Sequence, residues 1–457
     1  MLGGIVMKKK RRLIILLLIG IIIFTFSACR TKEVSKEKIN MINEKKYEVK
    51  KLREDFNQFR NIIESEHTKL YIKDDKLKRL FDKQYAKLTH DMGELEFYRI
   101  ISPIVSSLKC GHTNISVSKE YEMYLNENGK YLPLVVKVIN NRLYVTKNLS
   151  TADIPKGSEI ISINGKSVKD IINILLNNLT ADGYNLTKKY QIINKWFNGI
   201  YYYYVDNSLK YKVTYKKPKD NKELKEVISA KRESNMDMTA LGIYFIDRLD
   251  KDTYYSEFYD DYAVLTIKSF NIKDMKNYKS FIYKFFKELN ERKIDNLILD
   301  IRGNWGGSPE PAGFLYSYLN NNNTPYFDDN IPIYFALRWP VISAKNSFKG
   351  NLYTLIDGAT FSTSGHLISL LRNYNIGKFI GEESGGSYLV TDGGKFTSLK
   401  NTKLRLYYST MVIKTDVTNL KKGRGIIPDY KVSYTLKDYL NKLDPQMKKA
   451  IELIKKK

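Results

Sequence analysis

Residues 294–303 read IDNLILDIRG, an almost unbroken apolar run only a few residues long. Such a run fits a strand covered on both faces, as in a parallel sheet flanked by helices. Its neighbours agree. YAVLTIKSF, residues 262–270, is a second apolar strand. Between them Asp274 caps a helix whose Tyr278, Phe281, Ile282, Phe285 and Leu289 fall on one face. Strand, helix, strand in that order is a β-α-β unit. Further strands are expected at NLYTLID, GKFIGEE and KLRLYYSTMVIKT, so residues 236–440 read as an α/β domain.

Two regions precede it. Residues 56–125 carry apolar residues at helical spacing, among them Leu80, Phe81, Tyr85 and Leu88, and read as a helical domain. Residues 126–235 change character. YLPLVVKVINNRLYVTKN alternates apolar and polar around Asn140–Asn141, a hairpin signal. IPKGSEIISINGKSVKDIINILLNN then gives a turn, a strand, an Asn-Gly turn and a helix from about Val168. That order resembles a PDZ module, which takes peptide as an added strand on a sheet edge. The Tyr-rich tail KWFNGIYYYYVDNSLKYKVTY reads as strands or packing surface.

The N-terminus bears on location. Lys8 to Arg12 are all basic and precede the apolar run Leu13–Phe26. A basic flank, a short apolar run and small residues after it read as a secretion signal over residues 1–28. The run is shorter than the roughly 20 residues a spanning helix wants. It ends FSACR, which resembles a bacterial lipoprotein box with Cys29 as the lipidated residue, although Phe26 stands where that box usually carries Leu. An uncleaved anchor is the alternative. Residues 29–55 are charged and apolar-poor, like a tether, and residues 441–457 read as a C-terminal basic helix. The chain is therefore expected at the extracytoplasmic face of a membrane. Its formal charge of +26 would draw it to anionic headgroups. Nucleic acid is not an expected partner, since no basic helix, zinc spacing or RNA-binding aromatic signature occurs. Four scattered histidines hold no metal spacing, and no cofactor is implied.

Chemistry gathers at three short stretches. In LILDIRGNWGGSPEPAGFL a buried strand runs into Gly303, Gly306 and Gly307 and then a Pro-started helix. Glycines there let backbone N–H groups point outward beside a helix N-terminus, which suits an oxyanion or a phosphate. No Gly-Lys-Ser/Thr follows, so the turn is not a P-loop. In DGATFSTSGHLISLL, Asp357 to Leu371, a turn sets Ser362 before a helix. Ser362 could cap that helix, or it could expose its hydroxyl as a nucleophile with the Thr363 N–H as half of an oxyanion hole. Ser364 is a second candidate. A serine needs a base. His67 and His90 read as surface residues of charged helices, and His366 as structure or substrate contact on the serine's own helix. That leaves His112, in the turn CGHTNI.

Taken in this order, GHT, LILDIRGNWGG and DGATFSTSG resemble the C-terminal-processing (tail-specific) serine peptidase family, and GKFIGEESGG and GRGIIPDYKV fit it too. The resemblance spans roughly residues 100–435. It implies a crotonase-like α/β catalytic domain preceded by a helical cap and a PDZ-like domain. It implies Ser362 as nucleophile and an oxyanion hole made by Thr363 with Gly306 or Gly307. One branch of the family activates its serine with a lysine, but the matching position is near Ser387, and Lys378 and Lys395 are off register. The tricorn-like branch uses a histidine from the N-terminal region, which His112 fits, with Gly111 where tricorn has serine. That branch also has a glutamate before its Gly-x-x-Pro-Asp motif; here the stretch is LKKGRG, without an acid. Glu382, Glu383 and Asp416 are the candidates for the residue that orients the base. The expected function is an exported, membrane-tethered serine endopeptidase acting on polypeptides. The alternative is an inactive, peptide-binding envelope lipoprotein that keeps the fold.

Overall fold

The computed structural model describes residues 44–232, 253–331 and 334–456. The apolar strand singled out above becomes Asn296–Asp300, third in a six-stranded sheet. The sheet runs Tyr254–Phe258, Ala263–Ile267, Asn296–Asp300, Asn351–Ile356, Lys378–Gly381, Tyr430–Lys431. The first pairing is antiparallel and the other four are parallel. Helices Met275–Glu291, Pro309–Leu319 and Thr363–Asn373 pack on one face, around Phe285, Leu297, Leu299 and Leu367. Helix Pro445–Lys455 closes the other with Ala450 and Ile454 against Ile298, Leu355 and Ile380. Both faces are covered, which is why the strand carries no alternation.

Helix Pro445–Lys455 is also tied to the sheet's end by charge. The Arg302 guanidinium donates to Asp300 Oδ2 at 2.7 Å and Asp444 Oδ2 at 2.8 Å, and to Gln446 Oε1 at 3.1 Å. Asp444 is the N-cap of that helix. The helix expected over 441–457 is Pro445–Lys455, and a separate short helix, Leu436–Asn441, precedes it.

Residues 126–235 fold as a sheet in the order Glu223–Ser229, Lys210–Lys216, Glu159–Ile163, Arg142–Asn148, Leu134–Ile139. Asn140 and Asn141 both take positive φ, 51° and 61°, which closes the hairpin. Helix Val168–Asn178 starts at the expected residue, with Ser167 as its cap. The Tyr-rich tail differs from expectation. Tyr201 to Tyr204 end a helix, Thr187–Tyr204, and only Lys210–Lys216 is strand. Tyrosine's strand preference yields here to packing: Tyr201, Tyr202 and Tyr203 are all buried. This helix lies along the edge strand. Asn194 accepts from Val138 N at 2.6 Å, and Asn198 Nδ2 donates to Leu134 O at 2.9 Å and also to Leu132 O.

The N-terminal helices sit against the α/β domain. Helix Val49–Glu66 begins inside the stretch read as a tether, and buries Leu52, Phe56, Phe59 and Ile63. The Lys, Arg and Glu around Leu52 hid only the first turns of that helix. Asp55 is fully buried and accepts from Asn401 N and Thr402 N, each at 2.7 Å. Cys29 and the apolar run before it lie outside the described residues. Among the described residues no helix is long and apolar enough to cross a membrane.

Two histidines are buried, which corrects the surface reading of His67. His67 is 4% exposed, accepts from Lys69 N on Nδ1, and meets Thr113 Oγ1 with Nε2 at 2.9 Å. His366 is 3% exposed, with neither ring nitrogen hydrogen-bonded. Burial pushes His67 down to about 4 and His366 down to about 3. A depressed imidazole means that the unfolded chain takes up protons first as pH falls below 6.5, so stability is lost on acidification. Glu94 works the other way: burial raises it to about 7, so its contribution is present at low pH and lost as pH rises through that value. Comparing a variant with the wild type isolates one group. In urea unfolding between pH 4 and pH 6.5, His366→Leu is expected to flatten the pH slope by about 1.4 kcal/mol per pH unit. An unchanged slope would show that the imidazole is not held neutral.

Candidate active site

The glycine turn follows strand Asn296–Asp300 and the serine turn follows its parallel neighbour Asn351–Ile356. Both therefore stand at the carboxyl end of the sheet, where α/β folds place ligands. Asn304, fully buried, organises the first turn. Its Nδ2 donates to Ile267 O at 2.9 Å, its Oδ1 accepts from Gly306 N at 2.9 Å, and its carbonyl accepts from Phe361 N at 3.1 Å. Gly306 and Gly307 have φ of 103° and 138°. A Cβ on Gly306 would lie 2.7 Å from Ser362 Cβ, and one on Gly307 would lie 2.2 Å from Asn271 N. Only glycine permits this approach. Thr363 Oγ1 closes the seam, donating to Gly307 O at 2.6 Å.

Ser362 has φ 55° and ψ −125°, a conformation that side chains rarely adopt. Asp357, at the start of the turn, restrains it. One carboxylate oxygen accepts from Gly303 N, Ala359 N and Thr360 N at 2.9–3.1 Å. Although Ser362 stands at the N-cap of helix Thr363–Asn373, its side chain makes no capping bond. The hydroxyl faces His112 instead, with Nε2 and Oγ 3.0 Å apart.

His112 arrives from a distant part of the chain. Helix Glu94–Ser107 ends below it, and Lys109 turns the chain with φ 53°. The next strand, Asn114–Ser116, pairs antiparallel with Arg405–Tyr408, matching Ile115 to Leu406. The imidazole stacks on the Phe361 ring, with centroids 4.7 Å apart. Gly111 is also constrained, because a Cβ there would fall 2.6 Å from that ring, which leaves no space for the serine of the tricorn-like pattern. Beneath it lies Lys188, 1% exposed, whose ammonium sits 4.3 Å from the Phe361 centroid and donates to Gly111 O at 3.2 Å. Burial brings this lysine down to about 8.

The acids expected to orient the base are elsewhere. Glu382 accepts from Ser433 Oγ at 2.8 Å, Glu383 pairs with Arg424, and Asp416 lies beside Tyr374. Each is thus engaged with a partner other than His112. Two acids that sequence reasoning missed lie near the imidazole. Asp392 Oδ2 is 4.0 Å from His112 Nε2, with Oδ1 accepting from Tyr407 Oη. Asp182, 7% exposed, accepts from Gly111 N at 2.6 Å. Neither sits in a motif, and an isolated acid in a turn carries no signal. Ser387, at the position where one branch has its lysine, is buried. Lys395 pairs with Glu66, and the strand Lys378–Gly381 presents Lys378 exposed. Ser364 is fully buried and His90 is exposed beside Glu96. Among the described residues no group of three or more His, Cys, Asp or Glu could hold a metal ion.

Residues 261–432 match the family model described as Peptidase family S41. The match contains both turns and Ser362 but not His112. No curated protein matches the chain. Among solved structures, mature CPAF is similar over 89% of this chain and 97% of its own, at 12% identity and a TM-score of 0.63. A putative peptidase from Parabacteroides merdae is 14% identical over 88% of this chain and 96% of its own, with a TM-score of 0.45. The tricorn protease is 14% identical over 89% of this chain and 37% of its own, with a TM-score of 0.42. At these identities the likeness to CPAF speaks for the fold, and the two lower scores carry no argument. Residues 261–432 are thus similar to peptidase family S41, and the chain is a serine-type peptidase.

Proposed function

We propose that this chain is an exported, membrane-tethered endopeptidase that cleaves polypeptides with a Ser362–His112 pair. The observation that carries the reading is the 3.0 Å separation of His112 Nε2 and Ser362 Oγ, reached across 250 residues of chain. Ser362 Oγ attacks the scissile carbonyl while His112 Nε2 takes the hydroxyl proton. The same nitrogen returns it to the leaving amine, and water then releases the acyl group by the reverse roles. The oxyanion needs two donors near Ser362. Gly306 gives its N–H to Asn304 Oδ1, so the Gly307 N–H is the partner for that of Thr363.

The N-terminal signal and Cys29 support export and lipid attachment, with the basic surface adding attraction to anionic headgroups. The order of elements in residues 126–235 supports a PDZ-like module. Its edge strand Leu134–Ile139 has backbone groups already bonded to Asn194 and Asn198, so a peptide added there must displace them.

A fluorophosphonate should label the wild type. Ser362→Ala is expected to lose labelling and peptide hydrolysis entirely, and His112→Ala to lose roughly 10³-fold or more. Full labelling in both variants would remove the assignment. Absence of turnover in the wild type, with retained peptide affinity, would favour the inactive binder. Gly306→Ala tests the turn separately. Its Cβ would meet Ser362 Cβ and Phe361 O at 2.7 and 2.9 Å, so kcat should fall about 10²–10³-fold with the fold retained by circular dichroism. Wild-type kcat in that variant would show that the turn takes no part.

A further inference from the structure

A histidine acting as base needs its far nitrogen held, and none of the acids expected for that task reaches His112. We propose that Asp182 is the positioning carboxylate of this site, its Oδ2 receiving the His112 Nδ1–H while Nε2 takes the Ser362 proton. The inference rests on the Ser362–His112 reading above.

Two buried atoms in this site lack any hydrogen-bond partner: His112 Nδ1 and Asp182 Oδ2. One is a donor in the tautomer that leaves Nε2 bare to accept from Ser362. The other is an acceptor. Asp182 is anchored to the residue just before the histidine, since Oδ1 accepts from Gly111 N at 2.6 Å. Lys188 holds the other side of that residue through Gly111 O at 3.2 Å. The peptide feeding His112 is thus gripped from both sides, and the second carboxylate oxygen is left over. Asp392 does not compete for the role, because its 4.0 Å approach is to Nε2, the nitrogen already facing Ser362. Catalytic hydrogen bonds are often long before substrate binds. Of the charges around Asp182, that of His112 acts on it most strongly, and the proposal requires a turn of the imidazole on Phe361 that joins the two orphan atoms. The step moves no proton to Asp182: the Ser362 proton goes to Nε2, Nδ1 keeps its own, and the carboxylate offsets the imidazolium charge.

The full chain is tested as Asp182→Asn and Asp392→Asn beside Ser362→Ala. An asparagine keeps an acceptor for Gly111 N but offers Nδ1 no carboxylate. The expected result for Asp182→Asn is a kcat reduced roughly 10²–10⁴-fold with KM little changed. The acid limb of kcat/KM should also move to lower pH, because the imidazolium loses its counter-charge. The other titratable groups around the pair are Lys188, Cys110 and Tyr71 about Asp182, and Asp392 and His366 about His112. None of them is changed by Asp182→Asn. Wild-type kcat and an unmoved acid limb would overturn the proposal, as would a larger loss in Asp392→Asn. Should Asp182→Asn not fold, ring nitrogen and proton NMR of the wild type decides. A downfield Nδ1–H lost in His112→Ala supports the proposal, and an Nε2–H tautomer with bare Nδ1 overturns it. Activity surviving in Ser362→Ala would instead sink the underlying mechanism, which is a distinguishable outcome.

Discussion

Three residue pairs hold His112 against Ser362: Asn114 with Tyr407, Ile115 with Leu406, and Ser116 with Arg405. Side chains alternate across a strand, so a shift of one residue in this short ladder would turn every side chain to the opposite face. The register is specified by burial, because Ile115 and Leu406 are 4% and 0% exposed. Polar groups reinforce it. Thr113 Oγ1 accepts from Ser409 N and meets the buried His67, and the Arg405 guanidinium donates to Val117 O at 2.8 Å. The Ser362–His112 contact therefore depends on packing between the helical region and the α/β domain. Neither contributes a complete site alone.

Phe361 is the other shared point. Its backbone N–H bonds Asn304 O of the glycine turn, its ring carries the His112 imidazole, and its other surroundings include the Lys188 ammonium. The next residue bears the strained backbone. Strain of that kind costs of order 1–3 kcal/mol and persists only where neighbours over-determine the conformation. Here the neighbours are Asp357 with its three accepted N–H bonds and Gly306, whose missing side chain lets the two turns touch.

The 126–235 module meets the same turns by an aromatic route. Helix Thr187–Tyr204 breaks at Trp196, where φ is −129° and ψ 29°. The Trp196 ring stacks on Trp305 of the glycine turn, with centroids 5.5 Å apart. The same helix satisfies the edge strand through Asn194 and Asn198. One helix thus packs against both the module's sheet and the glycine turn.

The strand at Asn296–Asp300, the glycine turn and the Ser362 turn were legible because each is written locally, whereas His112 was reached by setting the other histidines aside. An apolar run, paired glycines and a hydroxyl between a strand and a helix keep their meaning whatever surrounds them. Other features were not. Residues 403–415 read as one strand but form two, Arg405–Tyr408 and Met411–Lys414, in different sheets. The first turns of the helix from Val49 were masked by charge, and the helix at Tyr201 to Tyr204 by tyrosine's strand preference. An acid's role depends on what stands opposite it. Glu382 and Asp182 are equally plain in sequence, yet one meets Ser433 and the other the residue before His112. The chain's local chemistry determined the serine and the shape of its turn. Long-range packing decided which imidazole, which amides and which carboxylates lie near it, because those groups come from separate parts of the chain.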